Sequence, residues 1–177
     1  AVRLNPRDTE AWSNLGGALR RIGMSRAPDM YDESALRESR QSYAEAHSLN
    51  SFDLYSGLNI ARLDLLLSRW DPGGVTKAKE GFAKQVHLCR HMVQQEPDDY
   101  WRRFDLADAL LFSGSYNDAN AEYDKAIAMV PKEERQDVLD SVLGPLRNYV
   151  TAKVLNAQFL SEVRLVIEKL ELASKSD

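Results

Sequence analysis

The fold is decided by one stretch, Tyr100 to Pro131, which reads YWRRFDLADALLFSGSYNDANAEYDKAIAMVP. Small and apolar residues recur in it at the three- and four-residue spacing of one α-helix face. They are Leu106, Ala107, Leu110, Ala119, Tyr123 and Ala126. Ser113-Gly114-Ser115 interrupts the pattern, and Pro131 closes it because the residue before a proline is biased away from helix. The stretch therefore predicts two helices, over about 99–112 and 116–129, joined by a short turn.

The helical period extends over the rest of the chain. It predicts further helices over about 9–22, 33–48, 51–68, 75–95, 133–153 and 158–173. Gly23 and the turn Asp71-Pro72-Gly73-Gly74 separate some of them, and Gly144-Pro145 should kink or split the helix that begins near Glu133. Eight helices in four pairs, without a credible strand, predict an all-α fold.

Two segments resemble the tetratricopeptide repeat, a helix-turn-helix unit of about 34 residues. From Thr9, the signature positions are occupied by Trp12, Leu15, Gly16 and Leu19. From Tyr100, one whole repeat matches, ending at Ala126 and Pro131. The resemblance implies antiparallel helix pairs stacked as a right-handed solenoid with a concave face.

The order of the motifs is similar to one particular subfamily. Glu10-Ala-Trp-Ser-Asn-Leu-Gly, then Tyr43-Ala-Glu-Ala, then Leu54-Tyr55-Ser56-Gly57-Leu58-Asn59 resembles the TRAFs-binding, central regulatory region of apoptosis signal-regulating kinases and its bacterial relatives. The resemblance implies a regulatory, protein-binding scaffold without a cofactor or a catalytic residue. The chain departs from the pattern at Arg103, where an aromatic residue is expected, so the partner in the family title is not carried over.

We expect a single helical-repeat domain over 1–177, cut from a longer protein. Residues 1–6 are interpreted as the tail of a preceding repeat. The pairs are 9–50 with a loop insertion, 52–97, 99–131 and the C-terminal pair 133–173.

The composition restricts the classes of function. Of 177 residues, 44% are hydrophobic and 28% charged, as in ordinary folded proteins. The net charge of −4 argues against a nucleic-acid partner. Cys89 is the only cysteine, which excludes an internal disulfide framework and favours a reducing compartment. Neither a long apolar span nor a signal segment is recognisable, so we expect a cytoplasmic protein that does not bind membranes.

The expected binding surface is the side of each first helix opposite its buried stripe. On the first helix that stripe is Trp12, Leu15, Leu19 and Ile22. The predicted partner-binding groove consists of Glu10, Ser13, Asn14, Gly17, Arg20 and Arg21 of the first helix, Asp53, Ser56, Gly57, Ile60 and Asp64 of the third, and Asp105, Asp108 and Phe112 of the fifth. Asn14 can pair with a peptide backbone, the two arginines can hold a carboxylate, and Phe112 could anchor a partner. A plain solvated helix surface is the alternative.

Patterns that could support catalysis or metal binding are weak. His87 and His91 lie one turn apart, but the glutamate of a zinc-protease motif is missing between them. Cys89 lies on an apolar stripe, as expected of an inert core cysteine. We therefore predict no enzyme activity, no catalytic residue, no metal site and no cofactor.

The predicted function is noncatalytic protein–protein interaction and regulation, with a protein or peptide partner in the groove. The alternative is a sensor or regulatory segment of a multidomain signalling or defence enzyme, which would bind a ligand or its own catalytic domain. An RNA-binding repeat would need a basic concave face, whereas Asp53, Asp64, Asp105 and Asp108 predict an acidic one. The C-terminal helix has more apolar residues than one stripe requires, from Leu155 to Leu172, so self-association through it is possible.

Overall fold

The computed structural model describes residue 2 and residues 4–175. In these residues the chain forms eight α-helices and no β-strand, which confirms the predicted all-α class. The helices are α1 (Thr9–Gly23), α2 (Glu33–Leu49), α3 (Leu54–Leu67), α4 (Gly74–Gln95), α5 (Tyr100–Ser113), α6 (Tyr116–Met129), α7 (Arg135–Thr151) and α8 (Ala157–Ser174), with a short 3-10 helix at Lys132–Glu134. Ala1 and Arg3 of the predicted leading repeat tail lie outside the described residues. The handedness of a solenoid stays a prediction.

The chain divides into two compact units, Ala1–Gly81 and Phe82–Asp177. Helices α1 to α3 belong to unit 1, where α2 packs on both α1 and α3. Helices α5 to α8 belong to unit 2, where α5 packs on α6 and α7 on α8. The division falls within α4. No described helix combines the length and the apolar character needed to cross a membrane.

Side-chain caps explain where several helices begin. The carboxylates of Asp8, Asp32, Asp53 and Asp99 accept hydrogen bonds from backbone N–H groups in the first turns of α1, α2, α3 and α5. Asn156 does the same for α8, accepting from the N–H of Phe159 at 2.9 Å. Each cap satisfies a donor that the helix cannot satisfy internally.

Glycines on α1 allow α2 to approach closely in unit 1. A Cβ atom built on Gly16 would lie 2.9 Å from the ring of Tyr43, and one on Gly23 would lie 2.7 Å from the side chain of Leu36. Both α2 side chains are fully buried. The Ser39 hydroxyl also donates to the Gly16 carbonyl at 2.7 Å. The large residues of α2 therefore fill the space that the α1 glycines leave.

This packing reverses one expectation for α1. The predicted buried stripe is wrong at Ile22, which is 56% exposed, and Trp12, Leu15 and Leu19 are only half-buried. The buried residues of α1 are Gly16, Gly17 and Gly23. A close helix contact needs small residues on one partner, so the glycine face packs against α2 and turns part of the apolar stripe outward.

Gly16→Ala is expected to destabilise unit 1, because the added methyl group meets the Tyr43 ring. Overpacking of a filled core costs about 1–3 kcal/mol, which outweighs the roughly 0.8–1.0 kcal/mol that alanine gains over glycine within a helix. Gly17→Ala is the matched control, since its Cβ would lie no closer than 3.4 Å to any neighbour. Urea unfolding followed by circular dichroism should show a loss of stability for Gly16→Ala and none for Gly17→Ala. Equal stabilities would contradict this packing.

Aromatic residues form the centre of unit 2. Phe112 of α5 stacks on Phe82 of α4 with ring centroids 5.0 Å apart, and its ring also contacts Tyr149 of α7 and Phe159 of α8. Helix α7 continues through Pro145, so of the predicted kink or split at Gly144-Pro145 the split does not occur. Helix α8 buries Phe159, Val163, Val166 and Leu170 and leaves Leu165 and Leu172 exposed.

Candidate partner-binding site

Three of the predicted groove residues are exposed on one flank of α1. They are Glu10, Asn14 and Arg21. Glu10 and Arg21 have no ion-pair partner within 4.0 Å among the described residues. Both charges, and the amide of Asn14 between them, are therefore available to another molecule.

Polar groups surround the Arg21 end of this flank. A Cβ built on Gly17 would lie 3.7 Å from Nη1 of Arg21 and 3.9 Å from the Tyr55 hydroxyl. The Tyr55 hydroxyl is 3.3 Å from the Tyr43 hydroxyl. Burial raises the pKa of Tyr43, as does the hydrogen bond with Tyr55, while the charges of Arg20 and Arg21 lower it. The Tyr43 phenol therefore stays neutral at physiological pH, and its hydroxyl remains paired with that of Tyr55 beside the two arginines.

A pocket of about 420 Å³ opens at the other end of the flank. It is lined by Val2, Asp8, Glu10, Ala11, Asn14 and Leu15. Ala11 and Leu15 supply an apolar wall, while Glu10 and Asn14 supply polar groups at its edge. A pocket of this size and chemistry can receive an apolar side chain of a partner, while the amide of Asn14 forms a hydrogen bond with the same partner.

Ser13 and Arg20, also predicted for the groove, contact α3. The expected exposure of Gly17 is wrong, because Gly17 is buried next to the Tyr43 hydroxyl. The Ser13 hydroxyl lies 2.8 Å from the Ser56 hydroxyl and 3.4 Å from a carboxylate oxygen of Asp53. Arg20 donates from Nη1 to the side-chain oxygen of Asn59 at 2.6 Å. These contacts join α1 to α3, so Ser13, Arg20, Asp53 and Ser56 stabilise unit 1.

The expected exposure of α3 is wrong at three positions. Ser56, Gly57 and Asp64 are buried, and Ile60 is half-buried. Asp64 forms an ion pair with Arg40 of α2 at 2.5 Å. The reason is that α3 packs on more than one neighbour, so the side opposite its apolar stripe meets another helix rather than water.

The expected exposure of α5 is also wrong. Phe112 is 2% exposed at the centre of the unit 2 aromatic cluster, so it does not anchor a partner from an open surface. Asp108 is buried and accepts a hydrogen bond from the Tyr123 hydroxyl at 2.6 Å. Asp105 is half-buried, and its backbone carbonyl faces the Cys89 thiol at 3.8 Å. A groove that continues over all three predicted helices stays a prediction.

The other candidate sites are weaker. A pocket of about 370 Å³ in unit 2 is edged by Arg90, Asp118, Glu122 and Lys125, whose charges are paired with one another or with Arg103. His87 and His91 are exposed, and Cys89 is fully buried, as expected of a core cysteine. Within the described residues, no group of three or more His, Cys, Asp or Glu is arranged to hold a metal ion.

Sequence reasoning missed three residues beside the exposed flank. Ala11 and Ala18 continue its apolar border, and Tyr55 closes its Arg21 end. The signal for the alanines was present, because Ala11, Leu15, Ala18 and Ile22 also have helix-face spacing. Tyr55 has no such signal in the sequence, since only the fold places its hydroxyl near Gly17.

Neither a family model nor a curated protein matched the chain. The resemblance to tetratricopeptide repeats and to the TRAFs-binding region therefore stays a prediction.

Proposed function

We propose that this chain is a noncatalytic protein-interaction module that binds a partner protein along the exposed flank of α1. The observation that carries the proposal is the arrangement on this flank, where Glu10, Asn14 and Arg21 are exposed beside a pocket of about 420 Å³. The flank offers the Glu10 carboxylate as a hydrogen-bond acceptor, the Asn14 amide as both donor and acceptor, and the Arg21 guanidinium as a donor. Such a set suits an extended or helical protein segment.

Each group has a distinct role in binding. The pocket takes an apolar side chain of the partner, and the amide of Asn14 pairs with a polar group of the partner. Arg21 binds a carboxylate, for which a guanidinium has two matching N–H donors. Gly17 has no side chain, so the Tyr43 and Tyr55 hydroxyls lie close to the Arg21 guanidinium.

The proposal is tested by affinity capture from the native host with the full-length protein. Asn14→Ala combined with Arg21→Ala removes the amide and the guanidinium and is expected to lower recovery of the partner at least about tenfold, because contacts near the centre of an interface dominate its energy. Lys84→Ala combined with Gln95→Ala is the matched control, since both residues are exposed on α4. Equal recovery by the two double variants, with both folded, would contradict the proposal.

A further inference from the structure

We propose that the partner on α1 is a second copy of this chain, docked antiparallel along the outer side of the helix. The proposal rests on the proposed interaction function and names its partner. The contact surface is the outer stripe, defined as Ala11, Leu15, Ala18 and Ile22. These residues are half-buried or exposed, with Ile22 at 56%.

The outer stripe faces away from the rest of unit 1. Successive residues of an α-helix are rotated by about 100°, so the four residues fall within a sector of about 60°. Ser13 and Arg20, which contact α3, lie on the opposite side of the helix. Gly16 and Gly23, which contact α2, lie between the two. A second helix can therefore approach the outer stripe without displacing α2 or α3.

The sizes of the four residues are self-complementary in an antiparallel pair. A two-fold axis at the middle of the stripe places Ala11 opposite Ile22 of the second copy. The same axis places Leu15 opposite Ala18 of the second copy. Each large side chain then meets a small one, which is how facing residues of packed helices interdigitate.

The pocket at the start of α1 fits this register. Ala11 and Leu15 line it together with Val2, and Ile22 of the second copy would lie opposite Ala11. Ile22 is the most exposed residue of the stripe, at 56%. Its insertion would cover the apolar wall of the pocket, and the two-fold axis repeats this contact in the pocket of the other copy.

The charges are self-complementary in the same register. Glu10 and Arg21 lie on the same flank of the outer stripe, near its two ends. A two-fold axis perpendicular to the helices keeps equivalent flanks on the same side. Glu10 of one copy then lies about 3 Å along the helix axis from the level of Arg21 of the second copy. The exposed arginine side chain reaches it by turning from Gly17 toward the outer stripe. Neither charge has an ion-pair partner among the described residues of a single chain.

The direction of the two helices adds to the fit. The N-terminal half of α1 has the acidic residue and the C-terminal half has the basic one. An antiparallel arrangement also places opposite ends of the two helix dipoles side by side. A parallel arrangement would place Glu10 against Glu10 and Arg21 against Arg21, so the charges select the antiparallel one.

Sedimentation of the full-length protein tests the proposal. The native protein is expected to associate reversibly into a dimer. Ile22→Glu is expected to weaken the dimer at least about tenfold, because it would place a carboxylate in a pocket lined by Asp8 and Glu10. Leu165→Glu on α8 is the matched control, since Leu165 is 52% exposed; it also tests self-association through the C-terminal helix.

Charge reversal tests the register. Glu10→Arg and Arg21→Glu are each expected to weaken the dimer several-fold, because like charges then face each other across the interface. The two reversals together should restore association to near the native level, since the opposite charges then meet again. Circular dichroism confirms that each variant is folded.

Three results would overturn the proposal. They are a monomer at every concentration, a dimer that tolerates Ile22→Glu, and a dimer lost only with Leu165→Glu. A monomer whose capture of another protein still depends on Asn14 and Arg21 would exclude the second copy and leave the proposed function intact. If capture is also insensitive to those residues, both proposals fail.

Discussion

Phe112→Ala is expected to lower the free energy of unfolding by about 3–5 kcal/mol, the usual cost of removing a large buried aromatic side chain. The Phe112 ring contacts Phe82, Tyr149 and Phe159, so its removal opens a cavity among residues of four helices. Chemical denaturation followed by circular dichroism measures the loss.

Trp101→Ala is the control for Phe112→Ala. Trp101 lies on the same helix but is 43% exposed, so its removal should cost much less. The comparison also separates the two interpretations of Phe112. A folded Phe112→Ala variant of native stability that has lost partner binding would show that the residue is a binding anchor after all.

Tyr43→Ala is expected to have a comparable effect in unit 1, about 3–5 kcal/mol. Tyr43 is fully buried against Gly16, and its ring meets that of Tyr55 edge-on at 5.7 Å. Tyr55→Ala is the control, because Tyr55 is more than half exposed. Urea denaturation of the two variants should separate them clearly; equal losses would contradict the central position of Tyr43.

A double-mutant cycle sharpens this test. In the native chain, Gly16→Ala is expected to destabilise because its methyl group meets the Tyr43 ring. In the Tyr43→Ala chain that obstacle is absent, so the same change should stabilise by up to about 1 kcal/mol through helix propensity. A destabilising effect of the same size in both backgrounds would show that Tyr43 is not the neighbour that Gly16 accommodates.

The sequence was sufficient for the fold class and for most helix bounds. The stretch from Tyr100 to Pro131 has apolar residues at helical spacing, a Gly turn and a closing proline, and the structure forms α5 and α6 there. The capping aspartates before α1, α2, α3 and α5 mark those helix starts locally. Such signals lie within a few residues of the helix end that they specify, so a single sequence is enough to recognise them.

The predicted groove was less accurate for a physical reason. A helical wheel divides each helix into one buried and one exposed side, which holds when a helix packs on a single neighbour. Helix α3 does not satisfy that condition, because Ser56 faces Ser13 of α1 while Asp64 pairs with Arg40 of α2. Polar residues on such a helix serve contacts between helices. On α1 the expectation was accurate at Glu10, Asn14 and Arg21, which are exposed.

The position of the outer stripe of α1 could not be predicted from that helix alone. Gly16 and Gly23 lie seven residues apart, a spacing that can mark close helix contact, but the sequence does not show which large residues will meet them. Once Tyr43 and Leu36 occupy that side, Ile22 turns outward. The packing of α2 therefore determines which part of the apolar surface of α1 is left exposed.

Hydroxyl-radical footprinting of the full-length protein, free and bound to its partner, tests the central claim that α1 is the binding helix. Oxidation of Ile22 is expected to slow on binding, while oxidation of Phe52 and Leu165, which are also well exposed, stays unchanged. Protection of Phe52 or Leu165 with no change at Ile22 would contradict the claim.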